Sequence, residues 1–179
     1  MDFDLSEEQK RMRDMVRELA QKEIYPKAAE IDSTGSFPRE NLKKLAARGL
    51  MGVPFPTEFG GAGSDYLSTA IAVEELSYAC ATTGFVVSVH TLAAANPIHL
   101  FGTSEQKKKY LPPLCRADLI IATGVTESSG GSDPSTITTT AELVGDEYVI
   151  NGRKVFISLA PVCDLTLAVA KTGERFSAF

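Results

Sequence analysis

Hydrophobic positions follow a helical period as far as about residue 118 and a strand-like one beyond it. Met12, Met15, Val16 and Leu19 fall at i, i+3, i+4 and i+7, one stripe of an amphipathic helix. Ser6 and Gln9 ahead of that stripe have capping-box spacing, and Glu7 and Glu8 suit the positive end of the helix dipole. Lys10, Arg11, Arg13 and Arg17 lie off the stripe and read as a solvated face, because Glu and Asp are mixed among them. Pro26 is expected to end or kink this helix. Pro38 opens a second one, through Leu42, Leu45 and Ala46 to a left-handed cap at Gly49. After a Gly- and Pro-rich connector over 52–65, residues 66–81 and 84–101 read as two largely apolar, buried helices at the centre of a bundle. Pro97 interrupts the second and Gly102 stops it. Thr103 and Gln106 repeat the capping-box spacing and open a Lys-rich helix that Pro112-Pro113 is expected to terminate.

From Leu119 the chain becomes dense in Val, Ile and Thr, the residues that suit strands. Leu119 to Ala122 reads as a short buried strand running into Thr123-Gly124-Val125-Thr126. Ile137 to Val144 reads as a second strand, with a turn at Gly145-Asp146. Asp146 to Ile150 and Lys154 to Ile157 flank Asn151-Gly152, which predicts a hairpin, because Asn-Gly accommodates the two positive φ angles of a type I′ turn. Leu165 to Ala170 is a further strand. Helices followed by an antiparallel sheet make an α+β arrangement, with domain limits at 1–118 and 119–179.

Composition narrows the class. The 179 residues suit one domain or one and a half, at roughly 100–200 residues per domain. A net charge of −5 and a pI near 5.1 argue against nucleic acid as a partner, which requires a basic footprint. The sequence has no apolar run of about 18 residues to span a bilayer. Its acidic start, MDFDLSEEQKR, fits neither a signal peptide nor an Arg-rich transit peptide, so a soluble cytoplasmic protein is expected, with no membrane association. Cys80, Cys115 and Cys163 are odd in number and widely spaced, which points to buried thiols in a reducing compartment. His90 and His99 stand nine residues apart in an apolar stretch, unlike a helical metal pair, so no metal is expected.

Two glycine-bearing segments invite a chemical reading. Gly60-Gly61-Ala62-Gly63 lacks both G-x-G-x-x-G spacing and the Lys-Ser/Thr of a phosphate loop, and reads as a turn before a helix capped near Asp65. Thr126-Glu127-Ser128-Ser129-Gly130-Gly131-Ser132-Asp133-Pro134 instead follows a buried strand and offers hydroxyls and backbone N–H groups to a polar ligand. An ordinary surface loop between two strands would have the same composition.

An ordered set of motifs decides between these alternatives. It comprises Leu5-Ser6-Glu7-Glu8-Gln9, Phe37-Pro38-Arg39-Glu40, Gly49-Leu50-Met51-Gly52 and Pro56-Thr57-Glu58-Phe59-Gly60-Gly61-Ala62-Gly63. Glu74-Glu75-Leu76, Phe101-Gly102-Thr103-Ser104-Glu105-Gln106-Lys107 and Tyr110-Leu111-Pro112 follow. Thr126-Glu127, Gly131-Ser132-Asp133, Asn151-Gly152-Arg153-Lys154 and Phe156-Ile157-Ser158 complete it. In this order the chain resembles the N-terminal part of an acyl-CoA dehydrogenase. Two departures stand out: Ser128 replaces a usual Pro, and Leu159-Ala160-Pro161 replaces a usual Asn-Gly-Gly.

The resemblance implies an all-α N-terminal domain, an incomplete antiparallel β-domain and the absence of the family's C-terminal four-helix domain. It implies FAD as cofactor, lined by Thr123, Gly124, Val125, Thr126, Gly131, Ser132, Phe156, Ile157 and Ser158. Thr126 would bind through backbone and hydroxyl, Ser132 would also face the acyl-CoA substrate, and the Ser158 hydroxyl would reach flavin N5, where a donor stabilises the reduced form. The reaction implied for the complete enzyme is α,β-dehydrogenation of an acyl-CoA thioester in fatty acid metabolism. Electrons would pass to an electron-transfer flavoprotein, and the complete enzyme would be a homotetramer. The usual base is a Glu of the C-terminal domain; no residue here matches it, and Glu127 belongs to the flavin-side loop. The chain alone is therefore expected to be inactive. The alternative is a truncated helical module that acts by binding a partner chain. An incomplete sheet is expected to leave the strand at 165–170 with an unpaired edge or an uncovered apolar face.

Overall fold

The computed structural model describes residues 4–179, so Met1, Asp2 and Phe3 of the acidic start lie outside the described residues. The chain divides into two compact units, Met1–Leu119 and Ile120–Phe179. The helical unit opens with α1 (Glu7–Leu19), and its capping box is complete: the Ser6 hydroxyl accepts from the Gln9 amide while Gln9 returns a bond to the Ser6 N–H. Val16, Leu19 and Ala20 are buried, whereas Met15 turns outward. Arg17 departs from the solvated face expected of it. Its guanidinium donates two bonds, at 2.9 and 2.6 Å, to the buried Glu75 of α4 (Tyr66–Ala79), which anchors the first helix to the fourth.

Pro26 does not end the first helix. A π-helical turn at Ala20–Ile24 precedes α2 (Tyr25–Thr34), and Pro26 lies in the first turn of α2, where its missing N–H costs least. The same device recurs downstream. α5 (Ala81–Ser88), a π-helical stretch at Val89–Ala95 and α6 (Asn96–Phe101), with Pro97 in its first turn, join into one run. That run, Ala81–Phe101, has 21 residues and contains a stretch of mean hydropathy 1.2, long and apolar enough to cross a bilayer although the sequence shows no such uninterrupted apolar stretch. Two of its buried polar side chains are satisfied within the helical unit: the Thr91 hydroxyl donates to Met51 O and His90 Nε2–H to Leu114 O, whereas, among the described residues, His99 Nδ1 is buried without a partner. Pro112 and Pro113 likewise fail to terminate α7 (Ser104–Cys115), which runs through both.

α3 (Arg39–Ala46) follows Pro38, and Gly49 takes φ 72° as its terminating turn requires. The glycine run of the connector serves packing, since a Cβ on Gly61 would lie 2.1 Å from Phe55 O. α4 and α5 are less enclosed than their composition suggests. Tyr66, Leu67, Tyr78 and Phe85 are exposed, while Gly84 lets the two helices approach so closely that a Cβ there would strike Ser77.

The second unit is a five-stranded mixed sheet formed by β1 (Ile121–Gly124), β2 (Thr140–Val144), β3 (Glu147–Asn151), β4 (Leu165–Thr172) and β5 (Arg175–Ala178). β2–β3 and β4–β5 are antiparallel, whereas β4 pairs with β1 and β2 in parallel. The strand expected to leave an edge is therefore interior. Uncovered apolar surface appears instead on the β2–β3 hairpin, at Leu143, Tyr148 and Ile150. That hairpin turns at Gly145-Asp146, with Gly145 at φ 64°. No hairpin forms at Asn151-Gly152: β3 ends there and 154–157 is irregular. Gly152 is needed for another reason, because a Cβ would lie 2.2 Å from the Thr139 hydroxyl and 2.7 Å from its Cα.

His90 and Leu159 are both held in states that the unfolded chain does not favour. Burial pushes the His90 imidazole down to about 4, against the opposing effect of its bond to Leu114 O. Between pH 6.5 and 4 the unfolded chain gains a proton at His90 that the folded chain refuses, so folding stability falls on acidification. His90→Gln removes up to about 1.4 kcal/mol per pH unit of that slope in urea titrations over this range. Leu159, at φ 70°, occupies backbone that a side chain disfavours by about 1–2 kcal/mol, whereas Gly loses about 0.5–1 kcal/mol to its greater unfolded entropy. Leu159→Gly accordingly raises unfolding stability by about 0.5–1 kcal/mol; an unchanged or lower urea midpoint contradicts the strain.

Candidate functional site

The candidate site begins where β1 ends. Thr123 and Gly124 are its last residues, and Gly124 packs on Lys154, whose Cγ a Cβ at that position would meet at 3.3 Å. Val125 and Thr126 lead into a tight turn in which Glu127 and Gly130 exchange backbone bonds of 3.0 and 3.1 Å across Ser128-Ser129. Gly131 lies directly against the Thr126 side chain, at 3.0–3.1 Å from a would-be Cβ. Ser132 is exposed, and Asp133 then caps a 3₁₀ turn at Pro134–Thr136 through the Ser135 amide.

A second segment runs alongside. Val155 N–H donates to Thr126 O at 2.9 Å, and Lys154 Nζ donates to Val125 O at 3.1 Å. Phe156, Ile157 and Ser158 thus begin one residue beyond a backbone bond to Thr126. Phe156 has φ 56° and is 92% exposed, an aromatic side chain presented outward from a backbone that side chains disfavour. Ile157 is half-buried and Ser158 exposed. Among the described residues, no protein hydrogen bond engages the hydroxyls of Thr126, Ser132 or Ser158.

One feature of this site escaped the sequence reading. Glu127, one of the most buried carboxylates in the chain, accepts from five donors. Oε2 takes the amide (2.6 Å) and hydroxyl (2.5 Å) of Thr138. Oε1 takes the amide of Thr139 (3.0 Å), its hydroxyl and the Lys154 ammonium (2.8 Å). Burial alone pushes the Glu127 carboxyl up; Lys154 and the two threonines outweigh it and hold the group far below the usual carboxylate range. Glu127 is therefore ionised and fully committed, unfit to accept a proton from a substrate. The signal in the sequence is an acidic residue inside the hydroxyl- and glycine-rich loop together with the basic pair Arg153-Lys154 ahead of Phe156.

An outward aromatic, three hydroxyls without protein partners and a loop of small residues are groups that suit a planar heteroaromatic ligand. The sequence matches the acyl-CoA dehydrogenase N-terminal domain over residues 6–118 and the acyl-CoA dehydrogenase middle domain over residues 122–179. It is 52% identical over 174 residues to the short-chain specific acyl-CoA dehydrogenase of Clostridium acetobutylicum, covering 97% of this chain and 46% of that protein. Its fold matches a chain solved in work on the electron transferring flavoprotein of Acidaminococcus fermentans (TM-score 0.93, 41% identity, 100% of this chain and 48% of that one). It also matches an acyl-CoA dehydrogenase of Bacillus anthracis complexed with FAD (TM-score 0.89, 35% identity, 98% of this chain and 30% of that one). The chain spans about half the length of the curated relatives it matches. Matching both domains in order along nearly its whole length, the chain belongs to the acyl-CoA dehydrogenase family.

Proposed function

We propose that this chain is the flavin-side half of a FAD-dependent acyl-CoA dehydrogenase, with a helical domain over 1–118 and part of the middle β-domain over 119–179. The observation behind this reading is the outward Phe156 at φ 56°, stapled beside a loop whose Thr126 and Ser132 hydroxyls are free. FAD would be held by Thr123, Gly124, Val125, Thr126, Gly131, Ser132, Phe156, Ile157 and Ser158. The chemistry it supplies is acceptance of a hydride from the β-carbon of an acyl-CoA thioester. Within that arrangement Phe156 and Ile157 contribute an apolar surface for the ring system and exclude water from it. Thr126 and Ser158 would donate hydrogen bonds to its polar edge, Ser158 at N5, and Ser132 would face the acyl-CoA. The α-proton needs a carboxylate base, and Glu127 cannot serve because its lone pairs are all engaged. The complete enzyme would be a cytoplasmic homotetramer passing electrons to an electron-transfer flavoprotein.

Two measurements test this. Titrating FAD with the purified chain quenches flavin fluorescence, and Phe156→Ala weakens the binding by about tenfold, the worth of one stacked ring. Absence of quenching by the unaltered chain rejects the flavin cradle. Supplied with FAD, a panel of acyl-CoAs and an artificial electron acceptor, the chain alone shows no turnover; robust turnover would mean that a base is present among these 179 residues.

A further inference from the structure

Glu127 is itself buried, yet it links the loop at 123–132 with Thr138-Thr139 and with the segment leading into Phe156. Its carboxylate is bound to the start of the strand region at Thr138 and Thr139 and, through Lys154, to the segment leading into Phe156. Lys154 in turn grips Val125 O, so the ammonium spans the loop and the aromatic segment at once. Both side chains are nearly inaccessible, at 2% for Glu127 and 13% for Lys154, so these bonds act where water competes least. The loop has few other ties between Val125 and Gly131: the exchange of bonds across Ser128-Ser129, one backbone bond from Val155 and the Ser129 hydroxyl to Thr136 O. We propose that Glu127 is a positioning residue: by holding Lys154 and the Thr138-Thr139 donors, it fixes the spacing between the loop at 123–132 and the segment at 156–158, and thereby sets how tightly a flavin is gripped. This inference rests on the flavin reading above.

The mechanism predicts coupling rather than simple loss of stability. Without the carboxylate, the Lys154 ammonium loses its counter-charge and its fixed position, and Val125 O is no longer held against the second segment. Glu127→Gln, Lys154→Met and the double variant are compared with the unaltered chain by FAD titration, by the visible circular dichroism of bound flavin and by thermal unfolding. Each single variant weakens FAD binding by about tenfold and alters the visible dichroism, and the double is no weaker than either single, because the two side chains act as one device. Thr138→Val, which removes one exposed hydroxyl, weakens binding by about threefold and decides the matter should Glu127→Gln fail to fold. Lowered melting temperatures with unchanged FAD affinity and dichroism in the folded variants overturn the positioning role and leave a structural one. Failure of the unaltered chain to bind FAD overturns the flavin reading itself, a distinct result.

Discussion

A carboxylate taken out of water must be compensated almost completely, and that requirement at Glu127 organises the sheet unit around the candidate site. Three segments distant in sequence, 125–127, 138–139 and 154–155, meet because the charge carried by the first draws its donors from Thr138, Thr139 and Lys154 in the other two. Leaving any of these donors out would cost more than an ordinary surface bond contributes, so the arrangement tolerates little local variation. The packing shows the same intolerance at Gly152, which lies against Thr139 with no room for a Cβ, while Gly124 packs closely on Lys154.

The helical unit meets the same kind of demand less severely. Glu75 is buried and answered by Arg17, His90 stays neutral against Leu114 O, and Thr91 reaches Met51 O. These contacts are directional bonds within an otherwise apolar interior, and they let His90 and Thr91 of the Ala81–Phe101 run sit inside the unit. Among the described residues, non-glycine backbone takes positive φ at Ala117 in the helical unit and at two positions of the sheet unit. Phe156 and Leu159 adopt positive φ within four residues of each other, one presenting its ring outward and the other closing the turn through bonds from Val162 and Cys163 to its carbonyl.

Much of this was legible in the sequence where the determinants are local. Both capping boxes, the Gly49 turn, the Gly145 turn and the change from helix to strand near residue 119 depend on neighbours a few residues apart. The motif order identified the family, and the loop at 126–134 emerged as the chemically distinctive stretch. Proline was read too strictly: Pro26, Pro97, Pro112 and Pro113 all lie within helical runs, the first two just after π-helical turns. Asn151-Gly152 carried the local signature of a hairpin, but Gly152 is shaped by contact with Thr139, thirteen residues earlier.

The sequence by itself therefore determined the order of elements, their caps and the family, since these depend on side-chain chemistry over short spans and on motif succession. Only the tertiary structure decided that β4 lies inside the sheet, that Glu127 is a committed anion and not a base, and that Phe156 faces outward beside Thr126. Those facts depend on which distant groups share a low-dielectric space, and a charge or a strand edge acquires its properties only from the partners that folding brings to it.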